Sequence, residues 1–350
     1  MDYNNIPVKG RKVLIIGGGG FIGHNLAMHL KSLGAEVSVI DGLEVNNLTS
    51  VLGNSDNLPY PHLSYTVLTE RLDLMRKADI PLFVQDARDY HALSHLFNKI
   101  QPQVIFHLAA VSHANRSNKD PYSTFDHSLR TLENALDNCK DRPGVEHFVY
   151  LSSSMVYGHF KNDQVDETTV CEPLGIYGAL KYSGEKMVIA YNQVFGLPYT
   201  IIRPSALYGE RCISRRVGQI FIENALFGNE ITINGDGSDG LDFTYIQDLV
   251  AGLTNVISSS GAKNQIFNLT YGSARTLADM LDILKTYFPK IAIKSIPKDA
   301  LMPDRGTLSV EKARSLIGYE PNWSLDKGYP KYIEWYMDLF DRNPGLATKK

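Results

Sequence analysis

Residues 13–23 read Val13-Leu14-Ile15-Ile16-Gly17-Gly18-Gly19-Gly20-Phe21-Ile22-Gly23. Four apolar residues run directly into four glycines, and a stretch of helical periodicity, His24–Leu33, follows. The first run has the length and character of a buried strand and the last those of a helix. Glycines between them let the chain turn tightly, bring backbone close to a pyrophosphate and pack the helix against the strand. The helix N-terminus adds free N–H groups and the positive end of its dipole. The spacing satisfies GxGxxG through Gly18, Gly20 and Gly23, and GxxGxxG through Gly17, Gly20 and Gly23. Glycines alone also serve flexible turns. Here the flanking strand and helix, and an acid, Asp41, closing the next apolar run Glu36–Ile40, give the turn its meaning. Gly17, Gly20, Phe21, Ile22, Gly23 and Asp41 are therefore candidate dinucleotide contacts. A carboxylate at Asp41 accepts hydrogen bonds from the adenosine ribose and repels a 2′-phosphate. Residues 42–47 contain no Lys or Arg, and Glu44 adds a second negative charge. The expected cofactor is NAD rather than NADP.

Outward from this turn the alternation continues. Pro81–Gln85, Val104–His107, His147–Ser152 and Tyr199–Arg203 read as strands. His91–Lys99, Ser123–Asn138 and Ala179–Phe195 read as helices. Strands buried on both faces and alternating with helices predict an α/β fold, a doubly wound parallel sheet that binds ligands beyond the carboxyl ends of its strands. The pattern breaks twice. Residues 43–68 read as a loop-like insertion, on the strength of Gly53-Asn54-Ser55-Asp56-Asn57 and Pro59, with a helix only from Thr69 to Ala78. After Gly209 the alternation stops, and Gln247–Ser258 reads as a helix returning to the first lobe. The expected division is a cofactor domain of residues 1–205 plus 242–258, and a smaller substrate lobe of residues 206–241 plus 259–342. The tail from Asn343 is expected to fray.

A formal charge of -3 over 350 residues offers no basic face for nucleic acid and no polybasic membrane patch. Cys139, Cys171 and Cys212 are odd in number and lack CxxC spacing, so neither a disulfide framework nor a metal site is expected. No stretch reaches membrane-spanning length, and Val13–Ile16 is too short for a signal peptide. The expected location is the cytoplasm.

Tyr177 and Lys181 lie four apart at the start of a helical stretch, hence on one face. An ammonium beside a phenol favours the phenolate, which makes tyrosine usable as a base near neutrality. Tyr157/Lys161 and Tyr182/Lys186 have the same spacing. Tyr157 sits in a loop, and Tyr182 is rotated away from the Tyr177 face.

Further motifs separate them. Asp86-Ala87-Arg88-Asp89 follows the third strand, His107-Leu108-Ala109-Ala110 closes the fourth, and Ser152-Ser153-Ser154-Met155-Val156-Tyr157-Gly158 closes the fifth. Tyr177-Gly178-Ala179-Leu180-Lys181 comes next. In this order and spacing, over about residues 11 to 340, the chain resembles the extended short-chain dehydrogenase/reductases, most closely their NAD-dependent epimerase/dehydratase branch. The resemblance implies a Rossmann-type sheet with a smaller C-terminal α/β lobe, and a nucleoside-diphosphate sugar as substrate. It adds Asp86, Ala87, Leu108, Ala109, Ala110, Tyr177 and Lys181 to the cofactor contacts. Tyr177 would move the proton of a sugar hydroxyl, Lys181 would lower the pKa of Tyr177 and hold the nicotinamide ribose, and Ser153 would bind the reacting sugar oxygen. Ser112, His113 and Ser117, after the HLAA motif, are expected near the sugar together with Ser154.

The dehydratases place Asp-Glu after the Ser/Thr of this strand motif, whereas here stand Ser154 and Met155. Met155 moves no proton, which argues against water elimination and leaves redox chemistry at a sugar hydroxyl. The family's Arg before Asp-Phe is Leu241, and its Asn before the later VYG is Ala206. Arg211, Arg215, Arg216 and Arg305 are candidates to replace that charge, with Arg211 and Arg305 as the expected substrate contacts. Three readings follow: an epimerase working through a 4-keto sugar, a dehydrogenase or 4-ketoreductase, and a non-catalytic NAD-binding sensor. By analogy with the family, the helices near 123–138 and 179–195 would pair in a homodimer.

Overall fold

The computed structural model describes residues 6–45, 47–53, 58–111, 114–297 and 303–347. At its centre, strands β1 (Lys12–Ile16), β2 (Glu36–Asp41), β3 (Leu82–Val84), β4 (Val104–His107) and β5 (His147–Leu151) form one parallel sheet with strands Tyr199–Arg203 and Gln265–Asn268. The spatial order from one edge is β3, β2, β1, β4, β5, then Tyr199–Arg203 and Gln265–Asn268. The direction of strand addition reverses between β1 and β4, and a crevice opens there at the carboxyl edge. The central strands are buried on both faces, as their continuous apolar runs require.

Helix α1 (Phe21–Ser32) starts three residues earlier than the periodicity indicates, with Gly20 as its N-cap, so the whole glycine turn presses against the helix start. The region expected to be a loop between β2 and β3 is mostly helical, as α2 (Leu48–Gly53) and α3 (Pro61–Lys77). Pro61 stands in the first turn of α3, where the N–H it lacks would have no helical partner, so it starts the helix rather than breaking it. The inner stripe of α3 is Leu63, Val67, Arg71 and Met75, all buried. After α4 (Tyr90–Ile100), the expected Ser123–Asn138 helix spans Pro121–Lys140 and widens into a π-turn at Asp126–Arg130.

Gln265–Asn268, expected in the smaller lobe, is the outer strand of the main sheet, in register with Tyr199–Arg203. Its Phe267 is fully buried in the core. The rest of the C-terminal half builds on helices Val217–Leu226, Leu277–Tyr287 and Leu325–Arg342 and the parallel pair Ile231–Asn234 with Ile293–Ile296. One apolar core runs from Val13 and Ile15 under the sheet to Met280, Tyr329 and Leu339 of this lobe. Leu346, in the tail expected to fray, is buried in a short 3₁₀ turn over Pro344–Ala347.

Candidate active site

Two adjoining cavities open at the carboxyl edge of the sheet. The first is lined by Gly17, Gly20, Phe21, Ile22 and Gly23 of the glycine turn, by Asp41, by Asp86 and Ala87, and by Leu108, Ala109 and Ala110. Every sequence-derived dinucleotide contact outside the Tyr177 helix lies on this wall. Gly17 has φ of 82°, and a Cβ there would stand 2.6 Å from the Ala109 nitrogen. At Gly23 a Cβ would meet the Gly18 Cα at 2.4 Å. The turn, the helix start and the β4 loop are therefore packed backbone to backbone.

Asp41 accepts hydrogen bonds from the Gly19 N–H at 2.8 Å and the Leu43 N–H at 2.7 Å, one on each oxygen. Each carboxylate oxygen keeps a lone pair for a ribose hydroxyl. Burial pushes the Asp41 pKa up, against those two hydrogen bonds and the Arg71 charge. Asp86 receives the Arg88 guanidinium, and the second arm of Arg88 reaches Glu44 at 2.9 Å. Burial raises the Asp86 carboxyl, but the Arg88 hydrogen bonds outweigh it and hold the pKa below its usual value. The Arg88 charge is thus shared by two carboxylates and is not free for a 2′-phosphate.

Arg71 escaped the sequence reading. It comes from α3, lines the cofactor cavity and is 1% exposed, held by the Arg211 carbonyl through Nε at 2.8 Å. Its signal was present: an arginine inside an apolar stripe of four-residue spacing. His127, at the π-turn, also lines this cavity, with Nε2 at 3.1 Å from Glu44.

The second cavity encloses about 470 Å³, a volume fit for a ligand of sugar-nucleotide size. It shares Ile22, Leu108, Ala110, Leu207 and Arg216 with the first. Ser153, Ser154, Met155, Tyr177, Lys181 and Arg305 all line it, so three chain segments far apart in sequence meet here. Ser153 follows β5 in an extended conformation, and its Oγ accepts the Met155 N–H at 3.2 Å. Lys181 is 5% exposed, and its Nζ donates to the Leu151 carbonyl at 2.7 Å, bracing the end of the same strand. Burial pushes its pKa down to about 7, partly offset by Glu185. Beneath lies a buried network: Glu185 accepts the Ser152 hydroxyl at 2.5 Å and pairs with Arg203 through two hydrogen bonds.

Two expected substrate contacts, Arg211 and Ser117, fall elsewhere. Arg211 turns away to His24 at 3.1 Å and Glu70 at 3.2 Å, and its guanidinium lies over Trp335. Arg211 lines neither cavity. Ser117 is fully buried and lines neither cavity. Ser112 and His113 lie outside the described residues. Leu241 and Ala206, the two departures from the family pattern, both line the second cavity. Arg216, a candidate for the missing charge that was not among the expected substrate contacts, lines both. His159 sits away from the cavities, against Asp304.

The geometry has counterparts among known proteins. The sequence model of the NAD dependent epimerase/dehydratase family matches residues 13–270. The uncharacterized UDP-glucose epimerase YtcB of Bacillus subtilis is 29% identical, over 94% of this chain and 99% of its own length. UDP-glucuronate 4-epimerase 1 of Arabidopsis thaliana is 29% identical, over 95% of this chain and 78% of that protein. The crystal structure of UDP-glucuronic acid 4-epimerase from Bacillus cereus, in complex with UDP-glucuronic acid and NAD, superposes with a TM-score of 0.83 at 25% identity, covering 93% of this chain and 99% of that one.

Proposed function

This chain belongs to the NAD dependent epimerase/dehydratase family, and on that footing we propose that it inverts C4 of a UDP-sugar through a transient 4-keto sugar. The observation that carries the proposal is the meeting of Ser153, Tyr177 and Lys181 on one cavity that opens into the dinucleotide site. NAD held along Gly17, Gly20, Asp41 and Asp86 would supply the hydride acceptor for oxidation at C4 and the donor for its reversal. Tyr177 takes the proton of the C4 hydroxyl as the carbon is oxidised. Ser153 Oγ hydrogen-bonds the same oxygen and steadies it as it becomes a carbonyl. Lys181 lends positive charge to the phenolate side of this exchange. The keto sugar then turns over in the cavity, and Tyr177 returns the proton as the opposite face of C4 is reduced.

Met155 and Ser154 line the cavity where elimination would need an acid and a base, which favours simple redox chemistry over dehydration. The relatives named above as UDP-sugar epimerases support the nucleotide. For the diphosphate we assign Arg216 and the N-terminus of the Val217–Leu226 helix, whose first residues line the cavity.

The test has two parts. Purified protein is denatured and its released NAD and NADH quantified, and UDP-sugars are followed by NMR for a C4 epimer. Near-stoichiometric cofactor with epimer formation is the expected result. An empty protein that oxidises UDP-sugars only with added NAD would instead make it a dehydrogenase.

We also propose a cytoplasmic homodimer. Tyr122, Phe125, Val194 and Phe195 expose apolar side chains on the Pro121–Lys140 and Gly175–Phe195 helices, a surface suited to pairing with a second copy. Among the described residues no helix is long and apolar enough to cross a membrane.

A further inference from the structure

Arg71 is a buried cation without a carboxylate. It is 1% exposed, lies on the inner stripe of α3 and lines the dinucleotide cavity. Its Nε and Nη2 both donate to one acceptor, the Arg211 carbonyl, and its Nη1 makes no hydrogen bond among the described residues. No Asp or Glu among them pairs with it. Glu70, its chain neighbour, reaches the Arg211 guanidinium at 3.2 Å, and Asp41 acts on it only through space while bonded to the Gly19 and Leu43 N–H groups. Two consecutive residues of α3 thus grip Arg211 at both ends, Glu70 at the guanidinium and Arg71 at the carbonyl. Burial pushes the Arg71 pKa down to about 10, with Arg211 adding to the fall and Cys212 and Asp41 opposing it, so the guanidinium stays charged at neutral pH. A buried guanidinium held by a single carbonyl is costly unless an anion joins it.

We propose that Arg71 is a clamp on the pyrophosphate of the bound dinucleotide, acting from α3 together with the N-terminus of α1. This rests on the dinucleotide reading of the first cavity and not on the sugar chemistry of the second. The position of the guanidinium decides which phosphate it meets. Gly20 caps α1 without a side-chain hydrogen bond, so the first N–H groups of that helix stay available to an anion in the same cavity. His24, in the first turn of α1, feels Arg71 more than any other charge, which puts the guanidinium at this end of the helix. A 2′-phosphate on the adenosine ribose would instead meet Asp41, Glu44 and Asp86, which line the cavity as well. Arg216, the other arginine on this wall, also lines the second cavity and is assigned to the substrate diphosphate. The long connection between β2 and β3 thus delivers, through α3, a charge that the glycine turn lacks.

Calorimetry on protein stripped of its cofactor tests this without turnover. Arg71→Gln is expected to bind ADP and NAD about thirtyfold more weakly than the wild type, the worth of a charge-assisted hydrogen bond, and to bind adenosine equally well. Arg71→Lys should lose less. Without cofactor, Arg71→Gln should melt no lower than the wild type, because an unpaired buried charge has been removed, whereas added NAD should raise its melting temperature less. An adenosine affinity that falls in step with that of ADP would make Arg71 a support of the cavity wall and overturn the proposal. Unchanged ADP affinity overturns it too, and a loss confined to 2′,5′-ADP would move the charge to a 2′-phosphate. Should neither variant fold, the wild type decides: ADP bound no more than about tenfold tighter than adenosine leaves no room for a charged clamp. If neither NAD nor ADP binds the wild type, the dinucleotide reading fails, and the inference with it.

Discussion

At Tyr177 the chemistry rests on one oxygen. Tyr177→Phe removes the only group assigned to move the C4 proton, so turnover should fall by about 10²–10⁴-fold while NAD content and melting temperature hold. Unchanged epimerisation in that variant would reassign the base. Lys181 is a second single-residue case, because its pKa near 7 is set chiefly by burial. An unfolded lysine keeps its proton to about pH 10.4. The folded state therefore sheds this proton first as pH rises. The penalty for burying the charge is fully present below pH 7 and is relieved between pH 7 and 10. Relative to Lys181→Met, cofactor-stripped wild type should gain about 2 kcal/mol between pH 7 and 9 in urea unfolding. Parallel pH curves for the two proteins would show that Lys181 is not desolvated in solution. Gly17 is constrained by geometry instead. Gly17→Ala adds strain at positive φ and a clash with Ala109, of about 1–3 kcal/mol, and should lower the amount of NAD that copurifies.

At the scale of elements, the reacting end of β5 is held from below. The Gly175–Phe195 helix supplies both Lys181, bonded to the Leu151 carbonyl, and Glu185, bonded to Ser152 and Arg203. One helix thus fixes the strand end that carries Ser153. Glu185 and Arg203 are 1% and 3% exposed, so breaking the pair strands a charge out of water. Glu185→Gln should cost about 3–5 kcal/mol by urea denaturation, far more than a surface ion pair such as Arg76–Asp73. A loss below 1 kcal/mol would mean that the buried arginine finds solvent. The periodicity of this helix and of the sheet strands was readable because their apolar patterns repeat. The insertion was misread because Gly53 and Pro59 signal turns, while the pattern over Leu63–Met75 is interrupted by Arg71. The fold buries this arginine with its apolar neighbours beside the dinucleotide cavity.

For the whole molecule, the shared core matters more than the division into lobes. Apolar side chains of β1 and of the Leu325–Arg342 helix belong to one continuous cluster. The holoprotein should therefore unfold in a single calorimetric transition, whereas two resolved transitions would show that the lobes are thermodynamically separate. A stable monomer in sedimentation would exclude the proposed homodimer. Both cavities sit where the sheet order reverses and the C-terminal lobe closes over the strand ends, which brings Ser153, Tyr177 and Arg305 together across 152 residues of chain.

The sequence by itself determined the parallel α/β sheet and the glycine turn, which depend on short-range order: a run of β-branched residues and a glycine spacing. Ser153, Tyr177 and Lys181 were singled out through the family resemblance, since three tyrosine–lysine pairs share the same spacing, and the fold sets the three on one cavity. Tertiary structure alone decided which charges face the ligand. Arg211 was turned to Glu70 and His24, Ser117 was buried, Arg71 was drawn into the cofactor cavity, and Arg305 was set beside Ser154. The physical reason is reach. A long cationic side chain takes its direction from the carboxylates, carbonyls and hydroxyls that folding brings near it, and their distance along the chain carries no trace of that encounter.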